Sequence, residues 1–201
     1  MPLRVRAWVL PAVVACSVVA VSAAQAPSRA EADRMAKKVD AIMQRSIAPP
    51  QKPTPLRTSF TEQELNAYLV HHGVDQFPTG VKFVRVLMPA DGKLETRSLV
   101  DLDAVRTAQK RGWMDPLSYV TGSLEVVMVG GLTGTGGKGV YRFESASVGG
   151  VPIPRAVLQE LLAFYTRSED FPKGITLDEP FELPAAIREV HVRRGAATVV
   201  Q

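Results

Sequence analysis

Ser145-Ala146-Ser147-Val148-Gly149-Gly150-Val151-Pro152-Ile153-Pro154-Arg155-Ala156-Val157-Leu158-Gln159-Glu160-Leu161-Leu162-Ala163-Phe164-Tyr165-Thr166-Arg167 is the stretch that decides the fold. It begins in alternation, crosses a glycine pair and ends in a helical period. Gly149 and Gly150 let the backbone turn without a Cβ clash. Pro152 and Pro154 hold φ near the helical value and give up an N–H that a first helical turn leaves unpaired anyway. Beyond them Val157, Leu158, Leu161, Leu162 and Tyr165 fall on one face, with Arg155, Gln159, Glu160 and Thr166 opposite. A one-sided helix fed by a strand needs a sheet to cover, which predicts an α+β fold.

Working outward, the residues before this stretch run in period two. Strands are expected over 81–88 and 93–103, joined by Pro89-Ala90-Asp91-Gly92, and over 117–129 and 140–148, with a loop at 130–139. Runs of about 9–13 residues span roughly 30–43 Å, well beyond the usual strand of about 5–6 residues. Gly122, Gly130 and Gly131 interrupt them, as in a sheet that bulges and curves. After the helix, short strands over 175–177 and 181–183 are bracketed by Pro172, Pro180 and Pro184. A closing hairpin of 187–193 and 196–201 turns at Arg194-Gly195. The expectation is a long curved antiparallel sheet of about five to seven strands, with the helix at 155–167 on its concave face.

Upstream, Thr61-Glu62-Gln63-Glu64 is a capping box, with Phe60 and Leu65 placed as a hydrophobic staple and Gly73 as the stop. Ser28-Arg29-Ala30-Glu31 is another. It opens a helix with Ala32, Met35, Val39, Ile42 and Met43 on one face and Arg34, Lys37, Lys38 and Arg45 opposite. Between the two helices, Pro49, Pro50, Pro53 and Pro55 make an extended spacer.

The first residues are targeting sequence. Arg4 and Arg6 precede an uncharged run over 7–21, followed by Ser22, Ala23 and Ala24. A signal peptide cleaved after Ala24 is expected, hence a periplasmic or secreted protein. Cys16 is the only cysteine. Lipidation there is the alternative, but the run stays apolar past it at Val18, Val19 and Val21, unlike a lipoprotein box. The domain expectation is a signal peptide over 1–24, an N-terminal helix and spacer over 25–57, and a single α+β domain over 58–201.

Removing Arg4 and Arg6 from the 24 basic residues leaves 22 against 20 acidic, a net charge of +2. That gives no warrant for nucleic-acid binding. A composition 46% hydrophobic and 22% charged supports a core in a chain of 201 residues.

Candidate chemistry is thin. Gly134-Thr135-Gly136-Gly137-Lys138-Gly139 spells a dinucleotide-loop pattern, but a strand follows where a phosphate-binding helix is required. His71 and His72 beside Asp75 point about 100° apart on a helix, so one ion cannot easily take both rings. Asp101 and Asp103 lie two apart on a strand without a positioned partner. No catalytic triad order, metal-protease motif or nucleophile elbow occurs, so no enzyme, metal site or cofactor is expected.

Phe60-Thr61-Glu62-Gln63-Glu64-Leu65-Asn66-Ala67-Tyr68-Leu69, Val148-Gly149-Gly150-Val151-Pro152-Ile153-Pro154 leading into Leu158-Gln159-Glu160-Leu161-Leu162, and Pro180-Phe181-Glu182-Leu183-Pro184 follow one another in order. Over 58–201 the chain resembles bacterial envelope proteins of the tubular lipid-binding superfamily. The resemblance implies a helix inside a strongly curved sheet, with an apolar groove for lipid and no catalysis. The groove lining expected here is Leu124, Val126, Met128, Tyr141, Phe143, Leu158, Leu162 and Tyr165. The implied partner is a lipid or other apolar small molecule, with membrane contact peripheral at most. The other function class is an envelope interaction protein with a fully packed core and a protein partner. Thr96, Ser98 and Ser118 interrupt the inward apolar positions and leave both open.

Overall fold

The computed structural model describes residues 26–48, 54–109, 121–165, 173 and 176–201. The expected signal segment at 1–24, Cys16 and Ser118 lie outside them. Both capping boxes form. Glu31 N donates to Ser28 Oγ at 3.2 Å as α1 (Arg29–Ile47) begins. Glu64 N donates to Thr61 Oγ1 at 3.1 Å, and Thr61 N donates to Glu64 Oε2 at 3.0 Å, at the start of α2 (Glu62–His71). α1 buries Ala32, Met35 and Ile42. A strand not expected from the sequence, β1 (Arg57–Thr61), runs directly into α2.

The chain then forms β2 (Val81–Leu87), β3 (Lys93–Asp101) and α3 (Leu102–Gln109). β4 (Ser123–Thr135), β5 (Lys138–Val148) and β6 (Val151–Ile153) lead into α4 (Arg155–Tyr165). β7 (Phe181–Glu182), β8 (Glu189–Arg193) and β9 (Ala196–Val200) close the fold. The fold is α+β, as expected, and among the described residues its curved antiparallel sheet carries 9 strands rather than about five to seven. Their order is β1-β9-β8-β4-β3-β2, with β5 also on β4 and with β6 and β7 on β5. β1 pairs with the last strand, Arg57 opposite Val200, so its partner gives no local signal.

The expected loop at 130–139 is a correction. β4 continues to Thr135, and the reversal is confined to Gly136 and Gly137, at φ 62° and 84°. The other glycines there are places where neighbours press in. A Cβ on Gly130 would fall 2.5 Å from Tyr141 Cζ, and one on Gly134 would fall 2.9 Å from Val190. A run chosen for close approach looks, as sequence, like a run chosen for turning. Pro152 is also corrected, since it lies in β6 while Pro154 alone immediately precedes α4. Leu177 lies in a turn rather than a strand.

Register defines the concave face. Val86, Thr96, Met128 and Ala146 stand across from one another in turn, as do Val84, Ser98, Val126 and Val148. The β4–β5 ladder shifts between Val129 and Gly130, leaving Glu144 unopposed. That bulge brings Tyr141 and Phe143 onto the same face as Ala146 despite the odd spacing.

This one face carries two separate cores. In the first, Met88, Val192 and Ala197 are buried, with Phe60, Leu65, Val86, Leu94, Leu132 and Val190 packed against them. In the second, Ala146, Leu158 and Leu177 are buried, with Met128, Phe143, Ile153 and Leu162 around them. α2 rests on β1 and β2, and α4 rests on β5. Of the stripe expected on α4, Leu158 is buried, Leu162 packs beside it, and Val157 is 44% exposed and off the face.

Candidate functional site

The concave face is built from period-two strands, and what covers it differs along its width. Between the two cores the sheet floor consists of Val84, Thr96, Ser98, Val100, Leu124 and Val126, all partly buried and none a member of either core. The floor is apolar with a hydroxyl pair at its centre, and Ser98 Oγ donates to Val126 O at 3.4 Å.

Tyr141 marks the seam. Gly130, over which its ring lies, stands opposite Leu94 of the first core on one side and Phe143 of the second on the other. The phenol oxygen falls 2.7 Å from where a Gly130 Cβ would be, so it sits on the concave face. It is buried and has no hydrogen-bond partner among the described residues. Burial, and then the charge of Glu144, push its pKa above the usual phenol value. The group is therefore a neutral hydroxyl, able both to donate and to accept.

The second core is fastened at the mouth of the bulge. Phe143 N donates to Asp178 Oδ1 at 2.6 Å, and Arg155 at the start of α4 donates to Asp178 Oδ2. The Arg155 guanidinium also lies 5.7 Å from the centre of the Phe143 ring. Leu177 N donates to Gln159 Oε1 at 2.7 Å. The Phe143 amide bond, then the Arg155 hydrogen bond, hold the Asp178 carboxyl below the usual range. Asp178 adopts φ 64°, a left-handed conformation aspartate tolerates better than most residues.

The expected lining divides. Met128, Phe143, Leu158 and Leu162 come together in the second core. Leu124, Val126 and Tyr141 share the concave face outside it. The Tyr165 side chain lies outside the described positions. Val84 and Val100 join the floor without having been singled out. The alternation of 81–88 and 93–103 carried that signal, but not the lateral register that brings them beside Val126 and Leu124.

The other candidates have structural partners. His71 Nε2 lies 3.1 Å from Pro27 O, and His72 Nε2 lies 3.0 Å from Asp33 Oδ1, so the two rings tie α2 to the start of α1 at separate points. Asp101 is the cap of α3, accepting from Asp103 N and Ala104 N at 3.1 Å each, with Lys82 Nζ 2.7 Å away. The Lys82 hydrogen bond, then the Ala104 amide, lower its pKa. Asp103 belongs to the helix, not to the strand, and its Oδ2 accepts from Gly122 N at 2.8 Å. The two carboxylates thus leave the shared strand face expected of them. Among the described residues no three metal-binding side chains gather, and no helix is long and apolar enough to cross a membrane. Comparison with protein families, curated proteins and solved structures finds no match to this chain.

Proposed function

We propose that this chain is an exported envelope protein that binds lipid-like apolar ligands, without catalysis, on the concave face between α2 and α4. The reading carries over the resemblance to the tubular lipid-binding superfamily. The observation that supports it best is the Tyr141 hydroxyl, buried on the seam between two cores and lacking a partner. An unmet buried hydroxyl costs about 1–3 kcal/mol, and a bound molecule with a carbonyl or hydroxyl group would recover it. The floor beside it offers aliphatic side chains to an acyl chain at about 0.8 kcal/mol per buried methylene. Ten methylenes give about 8 kcal/mol, which corresponds to micromolar binding before ordering costs.

Native mass spectrometry of protein purified from the exported fraction tests the proposal. Lipid-sized adducts are expected on a chain beginning at Gln25, and they should vanish in Ser98→Trp, which fills the floor while the far-ultraviolet dichroism is retained. A clean apo mass, with no uptake of labelled fatty acid or phospholipid, would overturn the carrier reading and leave the interaction protein. An intact Met1 would overturn export by signal cleavage.

A further inference from the structure

β2 ends the sheet, and α2 has closed most of its open edge. Val86 N donates to Asn66 Oδ1 at 2.8 Å, and Asn66 Nδ2 donates to Val86 O at 2.7 Å. Met88 N donates to Glu62 Oε2 at 2.6 Å. The Asn66 amide thus offers β2 one carbonyl and one N–H, as the peptide group of a neighbouring strand would. In an antiparallel ladder the residues facing outward alternate. With Val86 and Met88 outward, the next in register is Val84, opposite Ser98. No described group meets its N–H or its C=O.

Val84 lines a cavity of about 330 Å³ whose walls include Val70, Phe83 and Asn66, with Glu31 and Arg85 also on its border. The volume is at the lower end for binding pockets, enough for a few residues rather than a long strand. Phe83 is 43% exposed, although it is a large aromatic. Phe83 and Arg85 share the convex face, two residues apart on the strand.

We propose that this edge receives an extended peptide of a partner protein, which adds to β2 at Val84. Main-chain bonds to the Val84 N–H and C=O set its direction. Strand alternation then fixes its pattern. An apolar residue lies beside Phe83, an acidic residue two positions away lies beside Arg85, and the residue between them faces Val70. The site shares Val84 with the concave floor but rests on the strand edge, and it does not require that a lipid binds.

The probe is a fluorescein-labelled peptide, acetyl-Ser-Glu-Val-Leu-Ser-amide, which pairs antiparallel with its valine opposite Val84, its glutamate beside Arg85 and its leucine beside Phe83. It is titrated with the full mature chain and followed by polarisation. Saturable binding is expected, weakened about tenfold or more by N-methylation of the central valine and by Val84→Pro. Val84→Pro removes an outward N–H, so the β3 pairing is kept, and Val84→Ala serves as the control for the lost side chain. Should that variant unfold, the N-methylated peptide poses the same question from the ligand side. Arg85→Glu should exchange the preference from the glutamate peptide to its lysine counterpart. No saturable binding of either peptide up to millimolar concentration, or an affinity indifferent to N-methylation, would overturn the proposal.

Discussion

The two ends of the concave face are held down differently. At the α2 end, one helix reaches the sheet through side chains that bond backbone, Asn66 to Val86 and Glu62 to Met88. It is backed by α1, whose Lys38 Nζ donates to the buried Glu64 at 2.7 Å, with Arg34 at 3.5 Å. At the α4 end, the helix depends on Leu158 and Leu162 packing on β5 and on one turn, Leu177-Asp178, that fastens helix and bulge together. The first end is an ion-paired, capped layer of two helices, and the second is a single helix on an apolar seat. The two layers belong to separate cores, and the partly buried floor and Tyr141 lie between them. The difference teaches that this sheet is clamped at both sides, with residues that are only partly buried in the middle.

Truncation of the α4 seat should break the comparison most severely. Leu158→Ala is expected to cost about 2–5 kcal/mol in chemical unfolding. A loss near zero would mean that α4 is not seated as described. Glu64→Gln comes next, at about 1–3 kcal/mol, because it leaves Lys38 and Arg34 facing a neutral amide.

That variant also sharpens the pH dependence. Burial acts most strongly to raise the Glu64 pKa, but the Lys38 hydrogen bond, the Thr61 amide, the Lys38 charge and Arg34 together bring it below the ordinary value. A carboxyl depressed in the folded state contributes stability that is complete above its unfolded pKa and is lost as pH falls through the folded one. Stability of the wild type should therefore fall on acidification below the usual glutamate range, and Glu64→Gln should flatten that limb. An unchanged acid limb in equilibrium unfolding would remove Glu64 from the account. Val157→Ser, on the outward side of α4, should change stability by no more than about 0.5 kcal/mol.

The α2 end was largely legible in the sequence. Thr61 and Glu64 announce a capping box three residues apart, and the bonds form as the spacing implies. The position of α4 was legible too, because Leu158 and Leu162 repeat with the helical turn. The bulge that turns Tyr141 toward the seam was not. It needs Glu144 to be left unopposed, a property of two strands in register and not of either alone. Asp178 is equally silent as sequence, since its partners Phe143 and Arg155 are distant along the chain. Gly130 and Gly134 misled, because a glycine that admits an aromatic ring and a glycine that permits a turn are the same letter.

The central claim is that the concave face holds a ligand whose polar group meets Tyr141. Tyr141→Phe tests it most directly, with stability and binding measured on the same delipidated protein. Removing an unmet hydroxyl should leave unfolding free energy unchanged or raise it by about 1 kcal/mol. Affinity for a monoacylglycerol should drop about 5- to 30-fold, while affinity for an alkane of equal chain length stays the same. A variant that is less stable without ligand, and that binds monoacylglycerol as tightly as the wild type, would contradict the account.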